Sequence, residues 1–391
     1  MKILFVCESA HGSDSGGRVV RYLTRILGKG THQIKLLVVT PPRADYKQDT
    51  FYQDNDVEFL PIRKSVAHRM ENLVMKTEEV RRYRDILKEF RPDIVHFASF
   101  DHNKPAQFIT EARMADAKVI LQPWTMQFYC AQGFGFREGK KCNLCAGGNY
   151  INALTKHCVP VKGIPSQVER SFLHKSALKA DVFLSSNTEL DQILLQYGVE
   201  AQKIARFPIP FDYTFLVPEA GEEEDYFIFF GQPAEHKGLK VLMEAFKLLP
   251  DKKLKMYPLA KLVENENANV EVVNGIGWAS GLKDAVAAAK AVLVPSLWST
   301  STEYAMCEAL LFKKAVVLFN VGVHKDIFRD RDNAMVVEPD DIPAFAKAIS
   351  ELDADAQLRR TIGENGYKTL LEINNRDKLY AQLMEAYTKT V

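Results

Sequence analysis

The chain alternates between short, almost fully apolar runs and longer segments with apolar residues at helical spacing. Lys2–Cys7 is an apolar run that predicts a buried strand, and residues 18–27 carry apolar side chains at helical spacing. Runs of this kind are typical of parallel strands buried on both faces, and the helices between them supply the crossovers. Further strands are predicted in the first half of the chain at 34–39, 94–98, 118–122 and 182–185.

The alternation is interrupted at residues 206–225, where prolines are followed by the acidic run 222–225, and it restarts at 226. A chain of 391 residues also exceeds the size at which one core stops growing. We therefore expect two α/β domains, at 1–205 and 226–375, joined by the linker 206–225. The final helix, 376–391, should return to the N-terminal domain. The second domain is predicted from strands at 226–230, 254–257, 270–273, 292–294 and 315–318 and helices at 238–248, 281–289 and 303–312.

Composition narrows the class of protein. Lys plus Arg total 51 and Asp plus Glu total 50, a net charge of +1, which argues against a nucleic-acid partner held by bulk electrostatics. No run of about 18 apolar residues is present, and residues 1–6 read as a strand rather than a signal peptide. These features predict a cytoplasmic protein that touches a membrane at most from its inner face.

Four of the six cysteines fall in one short segment, 130–158, within the predicted N-terminal domain. Cys130, Cys142, Cys145 and Cys158 have the spacing C-x11-C-x2-C-x12-C, and thiolates arranged in this way can form a structural zinc site. Reduced cysteines in a loop, an iron-sulfur cluster, or His157 in place of Cys158 are the alternatives.

Two polar loops of the second half carry candidate chemistry. Lys237 lies in the loop from Gly231 to Gly238, and Glu308 follows the Pro295-Ser296-Leu297-Trp298 segment; each loop lies between a predicted strand and a helix. Open α/β sheets bind ligands at the carboxyl ends of their strands. A lysine beside a helix N-terminus suits a diphosphate, and a carboxylate suits the vicinal hydroxyls of a ribose. Together they predict a site for a nucleoside diphosphate.

These motifs resemble those of GT-B glycosyltransferases of the family-4 type, which are retaining enzymes that use nucleotide-diphosphate sugars. The resemblance also includes the Gly16-Gly17 loop after the first strand and the Phe207–Asp212 segment of the linker. It implies an α/β GT-B fold, with two doubly wound Rossmann-like domains facing a central cleft and a Cys-rich knuckle in the N-terminal one. The N-terminal domain would bind the acceptor and the C-terminal domain the donor.

The resemblance also implies roles for individual residues. Lys237 would contact the donor diphosphate and stabilise its growing charge, and Glu308 would bind the ribose hydroxyls. Trp278 lies in the loop that receives the nucleobase, although packing between the domains explains a tryptophan there equally well. The remaining donor-binding candidates are Gly16, Gly17, Gly231, Gln232 and the backbone N–H groups of Ser301, Thr302 and Glu303.

Several positions depart from the family pattern. Gln232 stands where an arginine is usual, and Thr300 stands where a second carboxylate is usual. Glu303 is three residues out of register, so its side chain should point elsewhere. Trp124-Thr125 replaces a His-Asp pair, which suggests that Trp124 stacks on a sugar. Thr300 is expected to join Lys237 and Glu308 as a catalytic residue. Second-tier candidates for acceptor contact or proton handling are His11, Asp101 and His102.

Two functional hypotheses follow. The first is an active hexosyltransferase that moves a sugar from a UDP- or GDP-sugar to a glycan, lipid-linked or small-molecule acceptor in glycoconjugate or polysaccharide synthesis, with no catalytic metal. The second is an impaired relative that binds sugar or serves as a partner subunit of a glycosyltransferase complex. An epimerase or a phosphorylase of the same fold is a minor alternative.

A basic segment raises the question of membrane contact. Residues 63–91 contain nine Lys and Arg against five Asp and Glu, with apolar residues between them. Such a face could dock on anionic lipid, or its apolar side could pack on the sheet and leave only the charges in solvent.

Overall fold

The computed structural model describes residues 1–12, 14–28, 31–63, 65–74, 76–101, 104–214, 216–218, 221–260 and 267–389. By its internal contacts the chain divides into two compact units. The first contains Met1–Gly135, Cys142–Pro210 and the C-terminal segment from Arg376, and the second contains Phe136–Lys141 and Phe211–Asn375.

A seven-stranded parallel sheet forms the centre of the first unit, in the order β3-β2-β1-β4-β5-β8-β9. Its strands are β1 (Lys2–Cys7), β2 (Gln33–Val38), β3 (Asp56–Phe59), β4 (Ile94–Ala98), β5 (Lys118–Gln122), β8 (Val182–Ser185) and β9 (Ile204–Arg206). Its helices are α1 (Ser15–Leu27), α2 (Thr50–Asp54), α3 (Val66–Val74), α4 (Glu78–Phe90), α5 (Ala106–Met114), α6 (Asn152–Thr155), α7 (Ile164–Ala177), α8 (Thr188–Tyr197) and the C-terminal α15 (Arg376–Thr388).

The second unit is built on a six-stranded parallel sheet in the order β12-β11-β10-β13-β14-β15. An antiparallel hairpin, β6 (Phe136–Arg137) and β7 (Lys140–Lys141), is assigned to the same unit. The sheet strands are β10 (Phe227–Gly231), β11 (Leu254–Pro258), β12 (Val270–Val272), β13 (Ala291–Val294), β14 (Ala315–Phe319) and β15 (Met335–Val337). The helices are α9 (Leu239–Lys247), α10 (Leu282–Ala288), α11 (Tyr304–Leu311), α12 (Val323–Ile327), α13 (Ile342–Ala354) and α14 (Ala356–Ile373).

The two parallel sheets confirm the predicted α/β class with two Rossmann-like domains. The buried strands were predicted to within a residue or so at each end, because β1, β4, β5 and β8 are almost wholly buried and their sequences are mostly apolar. Three edge or near-edge strands, β3, β9 and β15, were not predicted. Each has only three or four residues, which leaves little periodicity to detect.

The C-terminal helix α15 is attached to the first unit by a buried polar contact. The hydroxyl of Tyr387 lies 2.8 Å from Nδ1 of His96, a fully buried histidine in the middle of β4. Lys118 at the start of β5 donates to the carbonyl of Tyr387 at 2.9 Å. Burial lowers the pKa of His96 to about 3, so the neutral imidazole is the form compatible with the folded state.

Within the described part of the basic segment 63–91, the apolar residues of α4 face inward, whereas Met70 of α3 is 36% exposed. Ile86 and Leu87, expected to face lipid in one reading, are buried in the core of the first unit. Arg63, Arg82 and Arg84 pair with carboxylates. Arg84, for example, contacts both carboxylate oxygens of Glu111 at 2.7 Å. The apolar side of α4 therefore packs on the sheet, and the structure gives no support to membrane contact here.

The buried histidine predicts a pH dependence of stability. The folded-state pKa of His96, about 3, lies below the usual value of 6.5. Between these two pKa values the unfolded chain binds a proton at this histidine and the folded chain does not. The free energy of unfolding is therefore highest above about pH 6.5 and falls by about 1.4 kcal/mol per pH unit below it. Urea unfolding between pH 7 and pH 4.5 should show a smaller loss for His96→Gln than for the natural protein. His157→Asn replaces an exposed histidine and serves as the control; an unchanged slope in the His96 variant would contradict the account.

Candidate functional site

The candidate donor site lies at the carboxyl ends of two adjacent strands of the second unit. β10 and β13 are neighbours in the sheet, and each is followed by a polar loop and a helix, α9 and α11 respectively. Lys237 ends a short 3-10 turn, Glu235–Lys237, before α9. The sequence therefore places the lysine and the segment before Glu308 at one edge of one sheet, where parallel α/β folds collect ligands.

A buried ion pair joins these two loops. Nζ of Lys237 lies 2.6 Å from Oε1 of Glu303, and Oγ of Ser296 donates to Oε2 of the same carboxylate at 2.8 Å. The lysine Nζ also lies 5.4 Å from the ring centroid of Trp298. The Lys237 side chain is 20% exposed and that of Glu303 is 7% exposed, so the carboxylate is enclosed while the ammonium keeps a face toward solvent.

The charge state of Glu303 follows from its surroundings. Burial alone would raise the pKa of this carboxyl, but the charge and hydrogen bond of Lys237 lower it, with help from His324 and Ser296. The net pKa lies below the ordinary value, so Glu303 is a carboxylate at neutral pH. Removing either partner of such a pair leaves an uncompensated charge, which costs far more than the pair itself contributes.

The two loops also meet through the backbone. The N–H of Leu297 donates to the carbonyl of His236 at 2.9 Å. Gly238, with φ at 74°, packs so closely that an added Cβ would lie 1.8 Å from the carbonyl oxygen of Pro295. A glycine is required here both by the left-handed backbone and by the close approach, and it fixes where Lys237 sits.

The segment before α11 offers hydrogen-bond donors. Within the described part of the chain, no hydrogen bond is made by the backbone N–H groups of Ser301, Thr302 or Glu303. The hydroxyl of Ser301 is buried and has no partner among those residues. Thr300 is fully buried, and its hydroxyl donates to the carbonyl of Thr302 at 2.6 Å. Free N–H groups at a helix start suit an anion.

Glu308 is buried in α11, one turn beyond Glu303. A cavity of about 520 Å³ lies at the carboxyl ends of β11 and β12. In the sheet, β11 is the neighbour of β10 on the side away from β13. Leu259, which follows β11, is 69% exposed at this cavity. The lining residues are Pro258, Leu259, Ala260 and the loop residues Asn274, Gly275, Ile276 and Gly277.

Other donor-site candidates are placed as follows. Trp278 stacks on Phe312 at 5.9 Å and meets Phe230 edge-on at 5.5 Å, so the ring packs within the second unit and does not line the cavity beside it. Gly231, at the end of β10, has φ at 140° and open space where a Cβ would stand. Gln232 is exposed.

In the first unit the double glycine is part of a compact loop. Asp14 caps α1 by accepting from the N–H of Gly17 at 2.6 Å. A Cβ on Gly17 would lie 2.0 Å from the carbonyl oxygen of His11, so internal packing accounts for this glycine. His11 lies with Nε2 3.2 Å from Oδ2 of Asp45. A Cβ on Gly16 would stand 3.3 Å from the ring of Trp124.

The residues expected to contact the acceptor differ in their hydrogen-bond partners. Nε1 of Trp124 is buried and has no hydrogen-bond partner within the described ranges. Asp101 is buried and paired with Lys104, whose Nζ lies 3.0 Å from Oδ2 and 2.7 Å from the carbonyl of Ser99. An aspartate held in this way supports the loop after β4. His102 lies outside the described residues.

The four-thiolate zinc prediction finds no support in the structure. Among the described residues, which include all four cysteines, no group of three or more His, Cys, Asp or Glu is arranged to hold a metal ion. All four are half-buried free thiols. Burial, together with the charges of the other three cysteines, raises the pKa of Cys145 to about 11, so the sulfurs lie within electrostatic range of one another. Backbone turns hold the segment, such as the 2.7 Å bond from the N–H of Cys142 to the carbonyl of Gly135.

A larger cavity, of about 680 Å³, lies in the first unit beside Gln33 and Ile34 at the start of β2. This is the amino edge of the parallel strands, opposite to the edge where α/β sheets bind ligands. We therefore place the site at the carboxyl edge despite the size of this cavity.

Sequence reasoning missed the carboxylate of Glu303 and the hydroxyl of Ser296 as side-chain partners in the site. The expectation that the Glu303 side chain points elsewhere was drawn from its register against the family, whereas the structure directs it at Lys237. A signal was present in the sequence, because a glutamate directly before α11 and a lysine two residues before α9 follow adjacent strands.

The close packing at Gly238 predicts a large effect of a small substitution. Gly238→Ala adds a methyl group against the Pro295 carbonyl at a left-handed position, whereas Gly275→Ala adds one at φ 79° with open space around it. The Gly275 variant should lose about 1–2 kcal/mol of unfolding free energy from backbone strain alone. The Gly238 variant should lose roughly 1–3 kcal/mol more from overpacking. Denaturant midpoints measure both, and equal losses would contradict the described contact.

Comparison with known proteins places this geometry in context. Residues 215–369 match the family model described as glycosyl transferases group 1. A search of curated proteins found no significant match.

Solved structures resemble the whole chain. Sucrose-phosphate synthase (tll1590) from Thermosynechococcus elongatus is 14% identical with a TM-score of 0.70, covering 99% of this chain and 98% of its own. Anabaena Alr3699/HepE in complex with UDP-glucose is 14% identical with a TM-score of 0.65 and full coverage, 100% of each chain. A TarM mutant from S. aureus, in complex with fondaparinux, α-GlcNAc-glycerol and UDP, is 11% identical with a TM-score of 0.65, covering 99% and 100%.

No helix in the described ranges combines the length and apolar character needed to cross a bilayer. The chain has the two-domain α/β GT-B fold of these structures, and its residues 215–369 match a glycosyl transferases group 1 domain.

Proposed function

We propose that this protein is a retaining glycosyltransferase of the family-4 type that transfers a hexose from a nucleotide-diphosphate sugar, with UDP-sugars favoured over GDP-sugars. The acceptor would be a glycan, a lipid-linked sugar or a small molecule in glycoconjugate or polysaccharide synthesis. The observation that carries the proposal is the ammonium of Lys237, fixed by Glu303 beside the α11 N-terminus and still partly open to solvent.

The lysine suits a departing diphosphate. An ammonium has three N–H donors, and one is engaged by Glu303. The others remain for phosphate oxygens, and the carboxylate holds the side chain so that little reorientation is needed when charge grows on the leaving group. Glu303 thereby acts as a positioning residue for Lys237, and Trp298 covers the ammonium from one side at 5.4 Å.

The loop before α11 suits the rest of the donor. The N–H groups of Ser301, Thr302 and Glu303 offer fixed donors to phosphate or sugar oxygens. The buried hydroxyl of Ser301, which has no partner among the described residues, costs free energy unless a ligand engages it. We assign Ser301 and Thr300 to the sugar end of the site, in place of the carboxylate that is usual in the family.

The nucleoside end is assigned to the cavity at β11 and β12. Exposed Leu259 supplies an apolar surface for a base, and the Asn274–Gly277 loop supplies backbone groups for its edge. Glu308 is assigned to the ribose hydroxyls. UDP is favoured because the structures of HepE and TarM that resemble this chain contain UDP or UDP-glucose.

In the proposed reaction the bond between the sugar and the diphosphate breaks while the acceptor oxygen attacks from the same face. The acceptor proton passes to the leaving phosphate oxygen, so no separate protein base is required. Lys237 and the helix-end N–H groups stabilise the charge, and the chemistry assigned to these residues does not call for a catalytic metal. At the acceptor end, Trp124 is assigned to a sugar through its ring and its Nε1 donor.

A second candidate is a sugar-binding or partner subunit without turnover. The observation that favours it is that Lys237 is already neutralised by Glu303, while the usual arginine position is occupied by Gln232. The two proposals differ in product formation: both allow UDP binding, but only the first releases UDP from a UDP-sugar when acceptor or water is present.

Removal of the ammonium should weaken the diphosphate contact. Lys237→Ala is expected to weaken UDP binding by roughly tenfold or more, measured by calorimetry, and to abolish UDP release from UDP-sugars. Lys240→Ala removes an exposed lysine three residues away and should leave both measurements unchanged. Equal UDP affinity in the natural protein and the Lys237 variant would overturn the assignment. UDP binding with no UDP release by the natural protein would favour the partner-subunit function.

The charge on Glu303 should oppose the diphosphate. Glu303→Gln keeps an oxygen that can accept from Lys237 but removes the negative charge, and UDP binding is expected to tighten by roughly fivefold, equivalent to about 1 kcal/mol of like-charge repulsion. Glu235→Gln changes an exposed carboxylate in the same loop and should have little effect. Weaker UDP binding in the Glu303 variant would show instead that the carboxylate serves the ligand only by holding the lysine.

A further inference from the structure

Helix α7 exposes an apolar stripe that the donor site does not use. Val161, Ile164, Val168 and Phe172 are 78%, 43%, 36% and 45% exposed. Their spacing of three, four and four residues places them on one side of the helix and of the short 3-10 turn before it. We call these four residues the α7 stripe.

The opposite side of α7 is committed to the first unit. Leu173 and Ala177 are buried in its core. His174 stacks on Tyr197 at 3.9 Å, and Nη1 of Arg170 donates to the carbonyl of Gln127 at 2.6 Å. The orientation of the helix is therefore fixed by packing, and the α7 stripe is held outward by a rigid support.

Exposed charge in the chain segment that contains the α7 stripe, residues 151–180, has one sign. Lys175 and Lys179 continue the stripe at three and seven residues beyond Phe172, and both are exposed. Lys156 and Lys162 are also exposed in this part of the chain. The only carboxylate in residues 151–180 is Glu169, and it is buried. The segment therefore presents apolar side chains followed by exposed lysines, with no exposed carboxylate. It would complement a partner surface that is apolar in its interior and anionic at its edge.

We propose that the α7 stripe is a membrane-docking surface that binds bilayers containing anionic phospholipid. The apolar side chains would enter the boundary between headgroups and acyl chains, and the lysines would reach the phosphates with their stems lying along the apolar region. Charge complementarity favours lipid over a protein partner, because a partner helix would need an acidic face and a second copy of α7 would bring its own lysines into repulsion.

Vesicle co-sedimentation of the full-length protein tests the proposal. Vesicles of phosphatidylcholine with phosphatidylglycerol should bind the protein, and vesicles of phosphatidylcholine alone should bind it much less. Phe172→Asp is expected to reduce binding to the anionic vesicles by roughly tenfold or more. Lys175→Glu should reduce it by roughly fivefold or more, and added salt should weaken it further.

Matched controls lie on the second unit. Leu371→Asp changes an apolar side chain of α14 with a similar exposure, 40%, and Lys368→Glu changes an exposed lysine of the same helix. Neither should alter vesicle binding. Because the stripe residues are exposed, the variants should keep the circular dichroism and UDP affinity of the natural protein. Ile164→Ser provides a milder second change should Phe172→Asp unfold the domain.

Two results would overturn the proposal. One is vesicle binding that is absent, or that is equal in the natural protein and in the Phe172 and Lys175 variants. The other is a dimer seen by analytical ultracentrifugation that Phe172→Asp dissociates, since a second copy would then cover the stripe. The outcome is independent of the donor assignment, because UDP affinity is measured separately on each variant.

Discussion

The ion pair between Lys237 and Glu303 is the contact on which the organisation of the candidate site depends. It bridges the loops after two adjacent parallel strands, β10 and β13, and a third group, the hydroxyl of Ser296, satisfies the second carboxylate oxygen. The close approach of Gly238 to Pro295 brings the same loops together through the backbone. The lysine is therefore positioned before any ligand arrives, which is the condition under which a fixed charge can favour a transition state.

The ion pair also bears on the proposed donor site, which lacks the arginine and the second carboxylate that the family resemblance leads one to expect. A carboxylate does follow three residues later, at Glu303, but its side chain is directed at Lys237. In the proposed assignment the sugar end departs from the family pattern, because Thr300 and Ser301 offer hydroxyls there in place of a carboxylate. Such a change would alter which sugar is held and leave Lys237 at the diphosphate.

The fold was predicted from sequence because buried parallel strands have apolar runs, as in β1 and β8. The sequence also placed Lys237 in the loop between β10 and α9, where the structure has it; the roles of Lys237 and Glu308 stay predictions. It could not recover the pairing of Lys237 with Glu303, because contacts between loops far apart in sequence depend on backbone geometry that periodicity does not encode. The cysteine spacing predicted that the four thiols lie near one another, and within the described residues no metal-binding group supports the zinc prediction. Membrane contact was expected from the charge of residues 63–91, because the sequence does not show which carboxylates pair with the arginines. The α7 stripe was identified only from the exposure of its side chains in the structure.

The central claim is that Lys237 is the counter-charge of a donor diphosphate. The most direct measurement is the ratio of the dissociation constants of uridine and UDP, taken by calorimetry in the natural protein and in Lys237→Ala. Because only the diphosphate differs between these ligands, the ratio isolates its contribution. The account predicts that UDP binds the natural protein far more tightly than uridine and that the ratio shrinks by roughly tenfold or more in the variant, with uridine affinity unchanged. A ratio that is the same in both proteins would contradict it.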